Sequence, residues 1–300
     1  MLGISQSARA QQNYTFQYHF VEGDHFSLHQ KIHQETYLTL EGISHRTTEQ
    51  FNATLLFSLK SLQPGQQATF KVVYQKILLD ISGDNQQMTV NTSLDGNDVF
   101  NILFKKIIDQ PFTINLTSNG SITLDYGLDH LFSQMLNSLP DHKKKDLQAL
   151  KTLLTQNFSK STLQSDLQEV LPHYTDQSVS TGNSWTHRVS LSGTLNGWVD
   201  QTWSLEYGDP GSSQLTLQGK LSTDQGKIIS MGDQLMGSVD LTGNVQGNYL
   251  IDMQSGWPSL CIQHNEYSGH YIYRSGKGLK SPVRVPVRIV IDLRDKILHL

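Results

Sequence analysis

The sequence has one cysteine in 300 residues, Cys261, so no disulfide can form within the chain. A chain of this length needs none, because it can bury a core large enough to hold itself together. Cys261 stands in the strand-like run Ser259-Leu260-Cys261-Ile262 and reads as a small buried hydrophobe, not a nucleophile. There is no basic excess either. The formal net charge is −4 and only 17% of residues are charged, which excludes the phosphate-neutralising surface of a nucleic-acid binder. No apolar run approaches the roughly 20 residues of a membrane-spanning helix, so no membrane span is expected. Motifs of chemistry are missing as well. The chain carries no G-x-S-x-G elbow, no C-x-x-C, no H-E-x-x-H and no G-x-x-x-x-G-K-S/T loop. Ser275-Gly276-Lys277-Gly278 is glycine-rich and basic, but it is one short turn-like stretch. Nothing here points to a cofactor or a metal, although dispersed carboxylates, as in many glycosidases, leave no motif.

What the sequence has in quantity is strand pattern. Ala8-x-Ala10 places small residues where a signal peptidase reads, predicting cleavage before Gln11 and leaving 1–10 as the tail of an export signal. No cysteine follows that point to carry a lipid anchor. The expected location is therefore periplasmic or extracellular. Residues 11–95 then alternate with period two. Tyr14, Phe16, Tyr18 and Phe20 share one face of a predicted strand, and Phe51, Ala53, Leu55, Phe57 and Leu59 share one face of another.

Residues 96–172 change to helical spacing, with Phe100, Leu103, Phe104, Ile107 and Ile108 as one stripe behind an Asp98 N-cap. Leu128 to Leu139, Leu147 to Leu154 and Leu163 to Leu171 predict further helices. A hairpin at Ser118-Asn119-Gly120 interrupts them. Residues 182–300 return to strands. Val283, Val285, Val287, Ile289, Ile291 and Leu293 face one way, and Arg284, Arg288 and Asp292 the other. Pro286 predicts an edge strand or a bulge. The expected fold is α+β and mainly antiparallel β. Two β-meander zones form either one curved sheet or two packed sheets in a single domain, with the central helical insert covering an apolar face.

Three constellations merit a test. His25, His29 and His33 recur every fourth residue. On a strand that spacing spans about 13 Å, too long for one ion, so a polar outer face is the expectation. His264 and Glu266 lie side by side at i, i+2 with His270 nearby, but no third ligand follows at fixed spacing. Asp292 and Asp295 sit among Arg284, Arg288, Arg294 and Lys296, and a solvated, salt-bridged face is expected for both. The feature with most functional content is diffuse. Phe100, Phe104, Phe132 and Met135 are either ordinary core or the lining of a cavity for an apolar ligand.

Val179-x-x-Gly182-Asn183-Ser184-Trp185, following Leu171-Pro172, resembles a marker of a family of exported Bacteroidota proteins of unknown function. So does Gly243-x-x-x-Gly247-x-Tyr249-x-Ile251-Asp252-x-x-Ser255-Gly256, and Phe112-x-Ile114 with Ser118-Asn119-Gly120-Ser121-Ile122 fits the same pattern. The acidic residue usual before the Ser-Trp pair is Asn183 here. The resemblance implies export and a β-rich fold with a helical insert, and transfers no catalytic residue. A looser architectural likeness is to periplasmic lipoprotein carriers, whose curved sheet wraps an apolar cavity. The functional expectation is a non-enzymatic exported protein, a structural or interaction module. The alternatives are a carrier of a lipid or other apolar molecule and a hydrolase with dispersed carboxylates. The partner is either an apolar small molecule or another envelope protein.

Overall fold

The structure, a computed structural model, describes residues 12–64, 67–84, 86–96, 98–126, 131, 158–192, 195–231, 235–276 and 279–300. The expected cleavage site at Ala10 and the helices expected over 128–139 and 147–154 lie outside these.

Among the described residues, fifteen strands and two helices follow in chain order. They are β1 (Asn13–Tyr14), β2 (His25–Leu40), β3 (Ile43–Gln63), β4 (Gln67–Gly83), β5 (Gln86–Asn91), α1 (Val99–Lys105), β6 (Pro111–Thr117) and β7 (Ile122–Tyr126). Then come α2 (Lys160–Val170), β8 (Val179–Ser180), β9 (Ser184–Leu191), β10 (Gly197–Gly208), β11 (Ser212–Thr223) and β12 (Ile229–Ser230). The last three are β13 (Met236–Asp252), β14 (Pro258–Ser275) and β15 (Val283–His299).

Thirteen strands form one open antiparallel sheet in the order β7-β6-β4-β3-β2-β15-β14-β13-β11-β10-β9, with β5 added to β4 and β12 to β13. Of the two expected arrangements, one sheet is what forms. Its joint is the pairing of β15 with β2, from Val287↔Leu38 to His299↔Phe26, which fuses the two meander zones. Turn chemistry sets the register. Glu41 and Gly42 both hold positive φ, 51° and 80°, as a two-residue β2–β3 hairpin demands. Pro286 lies on a central strand, not an edge, but it stands where the ladder to β2 stops, so its missing N–H breaks no bond on that side.

Alternation gives the sheet two unlike faces. The inward rows hold Phe57, Leu55 and Ala53 on β3, Tyr249 and Val245 on β13, and Ile289, Leu293 and Ile297 on β15, all buried. The outward rows are mainly polar and ion-paired, with Leu250, Ile262 and Leu298 exposed among them. Arg288 Nε donates to Glu266 Oε1 at 2.7 Å, and Arg188 grips Asp200 with bonds of 2.5 and 2.9 Å. A lipid-facing strand surface needs an outward apolar band; this outer face suits water.

The segment after β1 departs from expectation. Its alternation holds, with Tyr14, Phe16 and Tyr18 buried, yet 15–20 joins no ladder. It bonds to turns instead: Tyr18 N–H to Ser118 O at 2.7 Å and His19 N–H to Ser255 O at 2.9 Å. One motif glycine follows from this packing and a second from the close approach of β14 to β13. A Cβ on Gly256, whose φ is +74°, would meet Gln17 O at 1.8 Å, and one on Gly243 would meet Glu266 O at 2.1 Å. Helix α1 stops at Lys105, one turn short of its apolar stripe, because Ile108 leaves it to form a bridge with Tyr74.

The closed end of the sheet is filled by aromatics. Trp257 is 2% exposed, with ring centroids of Phe26, Tyr18, Phe70 and Phe57 at 4.3, 5.3, 5.7 and 6.0 Å. Trp257→Ala is expected to cost about 3–5 kcal/mol by urea unfolding followed by circular dichroism. Trp198→Ala, on the outer face beneath Arg188, should cost less than about 1 kcal/mol.

Candidate functional site

Strands β7 and β9 end the sheet and do not pair with each other. Between them lies α2, which packs on both. Ser159 caps its N-terminus by accepting from Thr162 N–H at 3.2 Å. Ser165 binds the β9 side, accepting from Ser192 N–H at 3.1 Å. The chain on either side completes the seam. Tyr174 N–H donates to Asn119 O at 2.8 Å, Gly182 N–H to Leu205 O at 2.8 Å, and Tyr18 OH to Pro172 O at 3.1 Å. β1 and β8 pair across it through Asn13↔Ser180 and Tyr14↔Val179.

The last carbonyls of a helix have no partner within it. The inner face of the sheet supplies one for Glu169 O, which accepts from Tyr249 OH at 2.9 Å and Gln263 Nε2 at 2.8 Å. Leu163, Leu167 and Val170 form the buried stripe of α2. Asp166 and Glu169, three residues apart, lie along one flank of it.

Two facts about Asp166 define the site. Its side chain carries surface that water reaches, yet protein surrounds it closely enough that burial pushes its carboxyl well above the ordinary 3.8. Glu169, Asp295 and Glu49 add like charge in that order. The like-charge neighbours Asp295 and Glu49 stand on the inward rows, which sets Asp166 on the inner side of the sheet, the lumen. Glu169 is pushed up to about 7 by burial, and burial also raises Glu49. Asp295 is raised mainly by burial, against opposing help from Lys31 N–H and Gln30. Register places Glu49, opposite Gln34, and Asp295, opposite Gln30 and Cys261, on the inward rows.

The inward rows change character along the strands. Phe26 and Leu28 are 1% exposed, whereas Ile32, Gln34, Thr36 and Leu38 farther along β2 are all partly exposed. Phe51 on β3, Ile81 on β4, Tyr271 on β14 and Ile291 on β15 are partly exposed at neighbouring levels. The concave face is therefore solid at the Trp257 end and water-accessible toward the β2–β3 turn.

The expected sites fall as follows. Phe104 is fully buried, 5.5 Å from Phe158, whose ring also meets Tyr74 at 5.8 Å and Phe51 at 6.3 Å. Phe100 is half-buried against the same core, and Phe132 and Met135 lie outside the described residues. His25, His29 and His33 face outward on a strand with separate partners: Ser58 Oγ at 3.0 Å, Ser27 Oγ at 3.1 Å and Glu35 Oε1 at 3.5 Å. His264 pairs with Asp292 at 2.8 Å, Glu266 binds Arg288, and His270 stands opposite Pro286. Among the described residues no three His, Cys, Asp or Glu side chains gather as a metal site.

Asp295 corrects the expectation for the Asp292/Asp295 pair. Positions three apart on a strand face opposite ways, so Asp292 is solvated and Asp295 is enclosed at 1% exposure. Its parity with Val283 to Leu293 was the signal in the sequence. The raised carboxyls on α2 had no such signal, because only the seam brings them against the sheet.

Outside the lumen, the other side of α2 borders a polar groove of about 350 Å³ lined by Ser161, Gln164, Gln168, His173, His187 and Ser190 among others. The two imidazoles stack at 3.6 Å, and burial, aided by His187, lowers His173 to about 4.

Residues 65–258 match the Family of unknown function (DUF6263), and the chain belongs to that family. The match omits β1, β2, β3, β15 and all of β14 but Pro258; of these, β2, β3, β14 and β15 occupy the middle of the sheet. No curated protein matches the chain. Among solved structures, lipovitellin, from a study of its lipid–protein interactions, is similar at 12% identity with a TM-score of 0.45 over 94% of this chain. The chain spans only 25% of lipovitellin. An outer membrane channel from Pseudomonas putida F1 is similar at 7% identity and TM-score 0.28, covering 94% of this chain and 97% of the channel. OpdQ from Pseudomonas aeruginosa follows at 7% identity and TM-score 0.22, covering 94% of this chain and 100% of OpdQ. Likenesses this distant carry nothing about function.

Glu169 gives a pH prediction. Between its ordinary 4.5 and about 7, the folded chain holds a proton there that the unfolded chain has released. Stability therefore falls as pH rises through that window. Glu169→Gln removes this loss. At pH 8 the variant should be more stable by on the order of 1–3 kcal/mol, allowing for water in the lumen, and its thermal melts should depend less on pH from 4.5 to 7. An unaltered profile would place Glu169 outside an enclosed lumen.

Proposed function

Starting from membership of a family with no assigned activity, we propose that this protein is a non-enzymatic carrier. It holds a lipid or other apolar molecule against the concave inner face of its sheet. We place that work after export, on the Ala8-x-Ala10 pattern and the resemblance to exported proteins. The supporting observation is the accessible stretch of inner face, where Ile32, Leu38, Phe51 and Ile291 remain partly exposed beneath a polar outer face. Apolar surface left accessible inside a concavity is the usual composition of a small-molecule site. An interaction module would present a broad apolar surface outward, and the outward rows here alternate ion pairs with single exposed apolar residues such as Leu250, Ile262 and Leu298.

The carboxylates argue against the hydrolase. A glycosidase pair needs one carboxyl held protonated and the other ionised, so its environments must push the two apart. Here burial moves Glu49, Asp166, Glu169 and Asp295 in the same direction.

An apolar dye such as N-phenyl-1-naphthylamine is expected to bind the delipidated protein saturably. Phe51→Trp together with Ile291→Trp should fill the accessible stretch and weaken binding about tenfold or more, a change of 1.4 kcal/mol or greater. Leu250→Trp, on the outward row of β13, should leave it unchanged. Equal binding by all three proteins would show that the dye sits elsewhere and would sink the carrier reading.

A further inference from the structure

The outer face carries a basic patch at the middle of the sheet, placed there by alternation and register. Arg294 and Lys296 point outward from β15, His29 and Lys31 from β2, and Lys71 and Lys76 from β4, and all six are exposed. Arg294 stands directly opposite Lys31. Lys296 stands opposite His29, and that row continues through Thr54 to Lys76. Among the described residues none of the five Lys and Arg side chains makes an ion pair. At these levels the outward rows of β2, β3, β4, β14 and β15 hold no Asp or Glu. The first acids, Asp292 and Asp80, come one pleat farther along, and Asp292 is taken by His264 at 2.8 Å. In a chain of formal net charge −4 this is a local reversal of sign. It also costs stability, because like charges directly opposite on paired strands repel.

Apolar side chains share the same ground. Ile262, 43% exposed, stands opposite Arg294, and Leu298, 38% exposed, lies two residues beyond Lys296 on β15. Leu250, 42% exposed, stands opposite Leu260, whose other neighbour is Lys296. The cations do not converge on a point. Lys296 and Lys76 are three strand spacings apart, about 14 Å, on the convex side of the curve. A shallow groove of about 420 Å³ opens between Ile262, Arg294, Lys31 and Asn52. A spread of cations fits a spread of anions, and a soluble polyanion has no use for exposed leucines. A bilayer with anionic headgroups uses both: its surface attracts Lys and Arg, and apolar side chains reach the boundary between headgroups and acyl chains.

We propose that this face docks the protein on a lipid bilayer that carries anionic headgroups. Lys31, Lys71, Lys76, Arg294 and Lys296 meet the headgroups, and Leu250, Ile262 and Leu298 enter between them. The contact is peripheral and no strand crosses the bilayer. It uses the outer face alone, so it stands or falls apart from what the inner face carries.

The test is sedimentation of the full chain with vesicles at pH 8 and about 0.1 M salt, where charges more than about 10 Å apart are largely screened. One set of vesicles is phosphatidylglycerol and phosphatidylcholine in equal parts, and the other is phosphatidylcholine alone. Binding to the anionic set is expected to be about tenfold or more tighter, and to be lost at about 1 M salt. The variant Lys31→Thr, Arg294→Thr, Lys296→Thr should bind the anionic set about a hundredfold more weakly, at roughly fivefold for each cation removed. Its urea midpoint should be no lower than the parent's, which separates lost binding from lost fold. If it does not fold, Lys31→Thr and Lys296→Thr singly, each expected to weaken binding roughly fivefold, decide the question. Lys220→Thr, on the outward row of β11 away from the patch, should bind as the parent does. Equal binding to both sets of vesicles, binding to neither, or a triple variant that binds like the parent overturns the proposal. So does capture of a soluble sulfated polysaccharide without binding to vesicles, which assigns the patch to a polyanion. Dye binding at the inner face is expected to be the same in all these variants, so the carrier reading fails or survives separately.

Discussion

An open sheet of thirteen strands must manage two edges, and the seam between β7 and β9 is the constraint on which the rest of this structure depends. Edge strands present unpaired backbone groups that invite pairing with other chains. Here α2, the segment after β1 and the stretch from Pro172 to Asn183 stand between the edges and take up backbone groups of the neighbouring turns, as in Tyr174 N–H to Asn119 O and Gly182 N–H to Leu205 O. Because one helix packs on both edges, the apolar face is held concave. The same helix is fixed in depth by Tyr249 and Gln263, which take the free carbonyl of Glu169. Its Asp166–Glu169 flank is thereby set against the inward rows.

That placement accounts for the polarity of the lumen. A carboxyl on a solvated helix would be unremarked. Burial where α2 meets the sheet raises Asp166 and Glu169, and the like charge of Asp295 and Glu49 adds to the rise at Asp166. The outer face has the opposite character. Arg188 with Asp200 and Arg288 with Glu266 are ion pairs in water, of small worth to stability. The sheet is thus mainly polar outside and apolar inside, with α2 packed on both of its end strands.

Much of the architecture was legible in the alternation. The β2 histidines were correctly read as outward because a period of two outranked their tempting i, i+4 spacing, and the Asn119-Gly120 hairpin follows from its turn residues. Choosing one sheet over two was not legible, since the β15–β2 pairing joins residues more than 240 positions apart along the sequence. The stretch from Thr15 to Phe20 misled for a related reason. Its alternation records burial on one side, and burial on one side does not specify a strand partner. Asp295 could have been found from parity alone. Asp166 and Glu169 could not, because a sequence does not show which flank of a short helix a distant sheet will cover.

The central claim is that the concave face is an accessible apolar lumen with the seam helix at its wall. The direct measurement is anomalous diffraction from crystals of the protein grown with 1-bromododecane. The account predicts bromine density inside the curve of the sheet, in contact with Ile32, Phe51 or Ile291. Bromine confined to the outer face or to the polar groove beside His173, with those three side chains in contact only with protein, would contradict it.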